Sequence, residues 1–168
     1  MEVIVSTAIL AIIVLGASLT IIQVGKLSPS MDASLTIKNE MQNADYWITR
    51  DAQMARSITT QDLPYNDFLI LTWVEFTEAG NLIDHTVTYF FDESDGETVI
   101  LKRNHSSSTG ENQVTLIARY IRYDPSDPDN TSSVSYENGR LTVKLIAFYG
   151  DHSETNVINV TPCKITIG

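Results

Sequence analysis

The feature that most constrains this chain is an uncharged run near its start. Val3 to Gly25 is 23 consecutive residues without a charge, dominated by Ile, Val, Leu and Ala. Coiled as a helix at about 1.5 Å per residue it reaches roughly 34 Å, enough to cross a hydrocarbon core of about 30 Å. Glu2 stands at the edge of the run, where an unpaired carboxylate is costly and calls for a partner. Lys26 flanks the other end as an interfacial cation would. A cleaved secretory signal fits poorly, because it opens on Lys or Arg and holds only about 7 to 15 apolar residues. Gly16-Ala17-Ser18 is a weak match to its cleavage site. The stronger readings are a membrane anchor and the assembly helix of a polymer.

The 168 residues carry 11 Lys+Arg against 21 Asp+Glu, a net charge of −10. Residues 1–58 hold 4 basic and 5 acidic groups, and residues 59–168 hold 7 and 16. The acidity therefore belongs to the later part of the chain. Nucleic acid is excluded as a partner, since no segment offers a basic face to neutralise phosphate. An anionic membrane surface would repel this acidic body as well. At 43% hydrophobic residues the chain is still too apolar for a disordered acidic tail.

Beyond the run a helical pattern resumes. Pro29 interrupts it, removing a donor and biasing Ser28 away from the α region. Ser30 or Asp32 can cap a second stretch. Ile37, Met41, Ala44, Ile48, Ala52 and Ala55 then recur at steps of three or four, marking one apolar face, with Lys38, Asn43, Arg50 and Arg56 among the residues opposite. The spacing predicts an amphipathic helix of about 27 residues ending near Ser57-Ile58, whose apolar side must pack on the later chain.

After Ile58 the pattern becomes strand-like. Strands are predicted over 68–76, 82–91, 99–103, 114–123, 140–149 and 157–167, separated by turn signals at Ala79-Gly80-Asn81, Asp95-Gly96 and Asn138-Gly139. In the fourth, Val114, Leu116, Ala118 and Tyr120 are expected on one side. The fold class expected is α+β, with one long N-terminal helix, kinked near Pro29, packed on an antiparallel sheet. Three regions follow: 1–25 for the membrane or filament core, 26–58 for the amphipathic helix, and 59–168 for the β-body.

Met1-Glu2-Val3-Ile4-Val5-Ser6, followed by Ala8-Ile9-Leu10-Ala11-Ile12-Ile13, resembles the start of the type IV pilin and pseudopilin family. Residues 44–57, with Arg50, Asp51 and Ala55, look like the helix end of larger minor pilins and of J-type minor pseudopilins of type II secretion. Looser likeness extends to Thr86-Val87-Thr88-Tyr89 and Leu116-Ile117-Ala118-Arg119. The resemblance implies a pilin-like fold and a structural role in a filament. In the family a basic leader ending in Gly is cut by a prepilin peptidase, and the new N-terminus is methylated. That leader and about three mature residues would stand upstream of Met1. The resemblance assigns Glu2 the axial register between subunits, through a neighbour's terminal amine. Ala8, Ala11, Gly16 and Ala17 are small enough to let neighbouring helices approach closely. Partners implied are other pilin or pseudopilin subunits, the peptidase and the inner-membrane assembly machinery. The location implied is a single pass through the cytoplasmic membrane with the β-body outside it, then the filament. A major pilin, or a membrane-anchored β-domain that binds a ligand without polymerising, are the alternatives.

Chemistry is sparse in the body, and an enzyme is not expected. His85, His105 and His152 read as lying far apart, on a strand, a turn and a loop, without metal-ligand spacing. Cys163 is the single cysteine and is expected to be buried in the last strand. Two acidic loops invite a calcium reading. The stretch 92–97 reads better as a hairpin turn, which leaves Asp124, Asp127 and Asp129 as weak candidates. No other cofactor is implied. Asn104, Asn130 and Asn159 begin short glycosylation-type triplets, patterns that chance supplies readily.

Overall fold

The computed structural model describes residues 31–64, 66–93 and 98–162. Glu2, Ala8, Ala11, Gly16, Ala17, Pro29 and Cys163 lie outside the described residues. The chain divides into two compact units between Thr36 and Ile37. Of the first, the described part is one helical turn and a half, in which the Thr36 hydroxyl donates to the Asp32 carbonyl at 2.8 Å. The second unit, from Ile37 onward, carries the sheet.

Among the described residues, helix α1 covers 31–54 and eight strands follow. They are β1 (Ser57–Thr59), β2 (Asp67–Phe76), β3 (Leu82–Glu93), β4 (Val99–Ser107), β5 (Asn112–Ile121), β6 (Ser133–Glu137), β7 (Arg140–Tyr149) and β8 (His152–Val160). All pairings are antiparallel, in the order β1-β2-β3-β4-β5-β7, with β6 and β8 both on β7. The sheet curls into a half-barrel, and strands make up 53% of the described residues. This overturns the expectation of an α+β, pilin-like fold organised by one long N-terminal helix. The architecture is β-dominated, and its helix spans 31–54. The alternating strand formers that follow account for most of the described chain. Helix α1 stops where the chain is captured by the sheet edge: the Arg56 amide donates to the Thr72 carbonyl at 2.8 Å, and β1 begins at once.

From Ile37 onward, one stripe of α1 lies in the hollow of the half-barrel. Ile37, Met41, Ala44, Ile48, Ala52 and Ala55 are all buried. They share a core with Leu69, Leu71, Val87, Leu101, Ile117, Ala118 and, from the far strands, Leu141, Val143 and Leu145. Alternation puts these strand residues on the inner face, the adjacent pair Ile117 and Ala118 excepted, since successive side chains of a strand point to opposite sides.

The register of β5 departs from simple alternation. Lys102 pairs with Leu116 while Leu101 pairs with Ala118, so Ile117 is an extra residue, and a second irregularity follows before Ile121. Both Ile117 and Ala118 are consequently buried, whereas Val114 and Leu116 are exposed. Tyr120 takes a left-handed φ of 63°. The expected row of Val114, Leu116, Ala118 and Tyr120 on one side is therefore broken by bulges, which add a residue and free backbone groups from the ladder.

The helix supplies partners for those groups. Asn43 Nδ2 donates to the Ile117 carbonyl at 2.6 Å, and the Arg119 amide donates to Glu40 Oε2 at 2.9 Å. Removing the amide in Asn43→Ala leaves that carbonyl short of a donor and is expected to cost about 1–2 kcal/mol. Urea unfolding checks this, with the midpoint falling at an unchanged slope.

Candidate functional site

Where the C-terminal half of α1 meets the inner face, the packing turns polar. Asp51 is completely buried and accepts three hydrogen bonds. The Tyr89 hydroxyl and Arg103 Nε both donate to Oδ2 at 2.6 Å, and Arg103 Nη2 donates to Oδ1 at 3.1 Å. Tyr89 and Arg103 are a direct cross-strand pair on β3 and β4, which is why both reach one carboxylate. Burial, followed by the charge of Asp51, pushes the Tyr89 hydroxyl far above its usual range. Burial, the largest single influence, would lower the Arg103 guanidinium, but the hydrogen bonds and charge of Asp51 together with Tyr89 outweigh it, and the net direction is upward. The triad is thus a neutral phenol and an ion pair sealed between helix and sheet. Trp47 closes it, its ring 4.9 Å from the Arg103 guanidinium carbon and 5.5 Å from that of Arg50.

Beside the triad the inner face continues past the helix as a cleft of about 360 Å³, lined by Trp47, Arg50, Met54, Trp73, Glu75 and His85 among others. His105 lies there too. Both tryptophans of the chain and two of its three histidines meet at this place. His85 and His105, expected to lie far apart, are brought together with His85 Nδ1 3.0 Å from His105 Nε2. The cause is the β3–β4 register. His105 pairs with Val87, so His85 is its diagonal neighbour on the same face. Trp73, directly opposite His85 on β2, stacks near-parallel to both rings, at 13° and 1°. His85 Nε2 lies 3.1 Å from Glu75 Oε2. Desolvation, then the nearby Arg103 charge, holds the His105 imidazole below its ordinary range.

The remaining sequence candidates are placed elsewhere and are not gathered. Asp124 accepts from the Ser126 amide and hydroxyl at 2.9 and 2.6 Å, and these bonds hold its carboxyl low. Asp127 lies 3.8 Å from Arg122, and the Asp129 carbonyl takes the Lys144 ammonium. His152 opens β8. Among the described residues no group of three or more His, Cys, Asp or Glu is placed to hold a metal ion. Asp51 entered the sequence reading only through a resemblance, and Arg103 and Tyr89 only as members of strands and of stretches with a looser likeness to the same family. The cross-strand meeting of the two histidines had a readable signal. A hairpin centred on Gly96 sets residues equidistant from it opposite one another, which places 87 against 105.

No family model, no curated protein and no solved structure matches this chain.

The triad makes a prediction with a definite sign. The Tyr89 phenol is protonated in the fold well above the pH at which an exposed tyrosine ionises, near 10. The fold therefore binds a proton there that the unfolded chain has lost, so stability is full below about pH 10 and falls above it, by up to ~1.4 kcal/mol per pH unit. Tyr89→Phe removes this alkaline slope contribution while costing about 1–3 kcal/mol at neutral pH through the lost bond to Asp51. Urea midpoints of both proteins between pH 8 and 11 check it.

Proposed function

We propose that this chain is a structural subunit, held at a membrane through residues 1–25 and assembled there into a filament of the type IV pilus or type II secretion kind. The observation that carries the reading is the uncharged run Val3 to Gly25 with a single acid, Glu2, at its edge. Residues 26–30 separate that run from α1 in the sequence, and α1 from Ile37 onward is bolted into the β-body by Asp51 and Arg103. A body tethered in this way transmits pull on its helix into a sheet, which suits an assembled subunit. Among the described residues no helix is long and apolar enough to cross a membrane. The reading therefore rests on the run and on the bolted helix, and not on one continuous helix.

A minor pilin or pseudopilin fits the proposal best, with a major pilin as its variant. Its partners would be further subunits along the helix, a prepilin peptidase and the membrane assembly machinery. Glu2 would fix the axial register. A carboxylate within a bundle of apolar helices needs a cation close by, and a neighbour's terminal amine would supply it. A second reading, an anchored body that binds a ligand without polymerising, is favoured by the cleft beside Trp47 and Trp73.

Fractionation separates the two. Glu2→Leu is expected to leave recovery in the membrane fraction unchanged and to lower recovery in sheared filaments by tenfold or more. Equal recovery of the variant in filaments would remove the register role. Wild-type protein that stays entirely in the membrane fraction of filament-bearing cells would favour the second reading.

A further inference from the structure

The row Glu75, His85, His105 has a direction. A carboxylate only accepts, so Glu75 Oε2 accepts a hydrogen bond from His85 Nε2 at 3.1 Å. In the neutral ring His85 Nδ1 is then bare, and it accepts from His105 Nε2 at 3.0 Å. The chain of donors ends on His105 Nδ1, which carries a lone pair. Three adjacent strands, β2, β3 and β4, thus share one wire of hydrogen bonds.

A bridging metal ion is the competing use of two facing imidazoles, and the geometry argues against it. The ring centres are 5.2 Å apart with planes 13° apart. Two imidazoles joined head-on by a hydrogen bond of about 3 Å hold their centres about 5 Å apart. The two nitrogens therefore point straight at each other. A metal ion bound at about 2.0–2.1 Å by each needs lone pairs that converge off that line, or nitrogens about 4 Å apart along it.

We infer that this wire is a proton-operated switch on the helix junction: neutral rings brace the site, and one added proton loosens the C-terminal half of α1. The charges around it decide the sign. From α1 the facing groups are Arg50 and Asp51, and just past it Arg56 lines a neighbouring hollow with Asp84 and His85, of which Asp84 belongs to the opposite face of β3. From β2 comes Glu75, from β4 Arg103, and from the β4–β5 turn Glu111. Asp51 is already committed to Arg103 and Tyr89, and Glu75 is largely exposed and screened by water. An imidazolium at His105 thus stands on the same face as Arg103, two residues along β4, and raises the energy of the guanidinium that holds Asp51. Burial and Arg103 together disfavour the charged ring.

A group whose native affinity for a proton is below its unfolded value contributes stability that is present above about pH 6.5 and is lost as the pH falls through the native value. Intrinsic fluorescence reads the site directly, because Trp47 on the helix and Trp73 on the sheet are the only tryptophans. The experiment is a fluorescence titration from pH 8 to 4.5, with amide exchange at residues 47–56 measured at pH 7 and pH 5 and corrected for intrinsic rates. Wild type is expected to show one fluorescence transition below pH 6.5. Its exchange protection at 47–56 should be five- to tenfold weaker at pH 5, with β7 and β8 unchanged. His105→Gln, whose side-chain amide can still donate to His85 Nδ1 but cannot take up a proton, should abolish both and retain the protection seen at pH 7. Glu75→Gln, which removes the carboxylate hydrogen-bonded to His85 at the end of the wire, should move the transition to lower pH. Equal pH dependence in His105→Gln, or protection at 47–56 that does not change in wild type, would overturn the switch. If His105→Gln fails to fold, His85→Gln is measured in its place by the same two readouts: loss of both transitions supports the switch, and a pH dependence equal to wild type overturns it.

Discussion

The buried contact between Asp51 and Arg103 is what the rest of this structure depends on. A carboxylate with no exposure to water is held by two bonds from one guanidinium and one from a phenol, so each of its oxygens is occupied. Removing two charges from water costs several kcal/mol each, and such a pair adds little net stability over an apolar replacement. Its value lies in position. The stripe of α1 is nearly self-similar: a slip of four residues exchanges Ile48 with Ala44 or Ala52, apolar for apolar. The same slip would bury Asp51 away from Arg103, at the much larger cost of an uncompensated charge. Packing therefore attracts the helix to the hollow, and the ion pair chooses its register there.

That register has consequences on both sides. Toward the N-terminal end, Glu40 and Asn43 come level with the β5 bulges and satisfy backbone groups the ladder cannot reach. Toward the C-terminal end, Trp47 and Arg50 come level with Trp73, His85 and His105 and wall the cleft. A similar economy appears at β7. It meets β5 through the single pair Ile121 and Ala147, and there the Ser132 hydroxyl accepts the Ile146 amide proton at 3.0 Å. Side chains stand in for strand partners wherever the half-barrel changes course.

Periodic features of this fold could be read in the sequence. The six stripe residues from Ile37 to Ala55 are spaced for a helix and are buried. The turn at Asn138-Gly139 needs positive φ at both positions and has it, at 52° and 77°. The helix and strand proportions were misjudged, because β1 and β6 are short and β3, β4 and β8 extend differently from their apolar cores. Ser57–Thr59 has no alternation long enough to see, and its pairing depends on Thr72 presenting a carbonyl to Arg56. The candidate site was least legible. Asp51 and Arg103 lie 52 residues apart and meet only once helix and sheet are docked. The bulges of β5 follow from a register that no local pattern encodes.

A double-mutant cycle on that contact tests the role of the ion pair most directly, with Asp51→Ala, Arg103→Ala and the double variant compared by urea unfolding at pH 7. Each single substitution strands a buried charge and is expected to lose about 3–5 kcal/mol. The double variant should lose no more than the larger of the two, giving a coupling of several kcal/mol. Losses that simply add would mean that the two residues act independently, and the ion pair would not be the interaction that seats the helix.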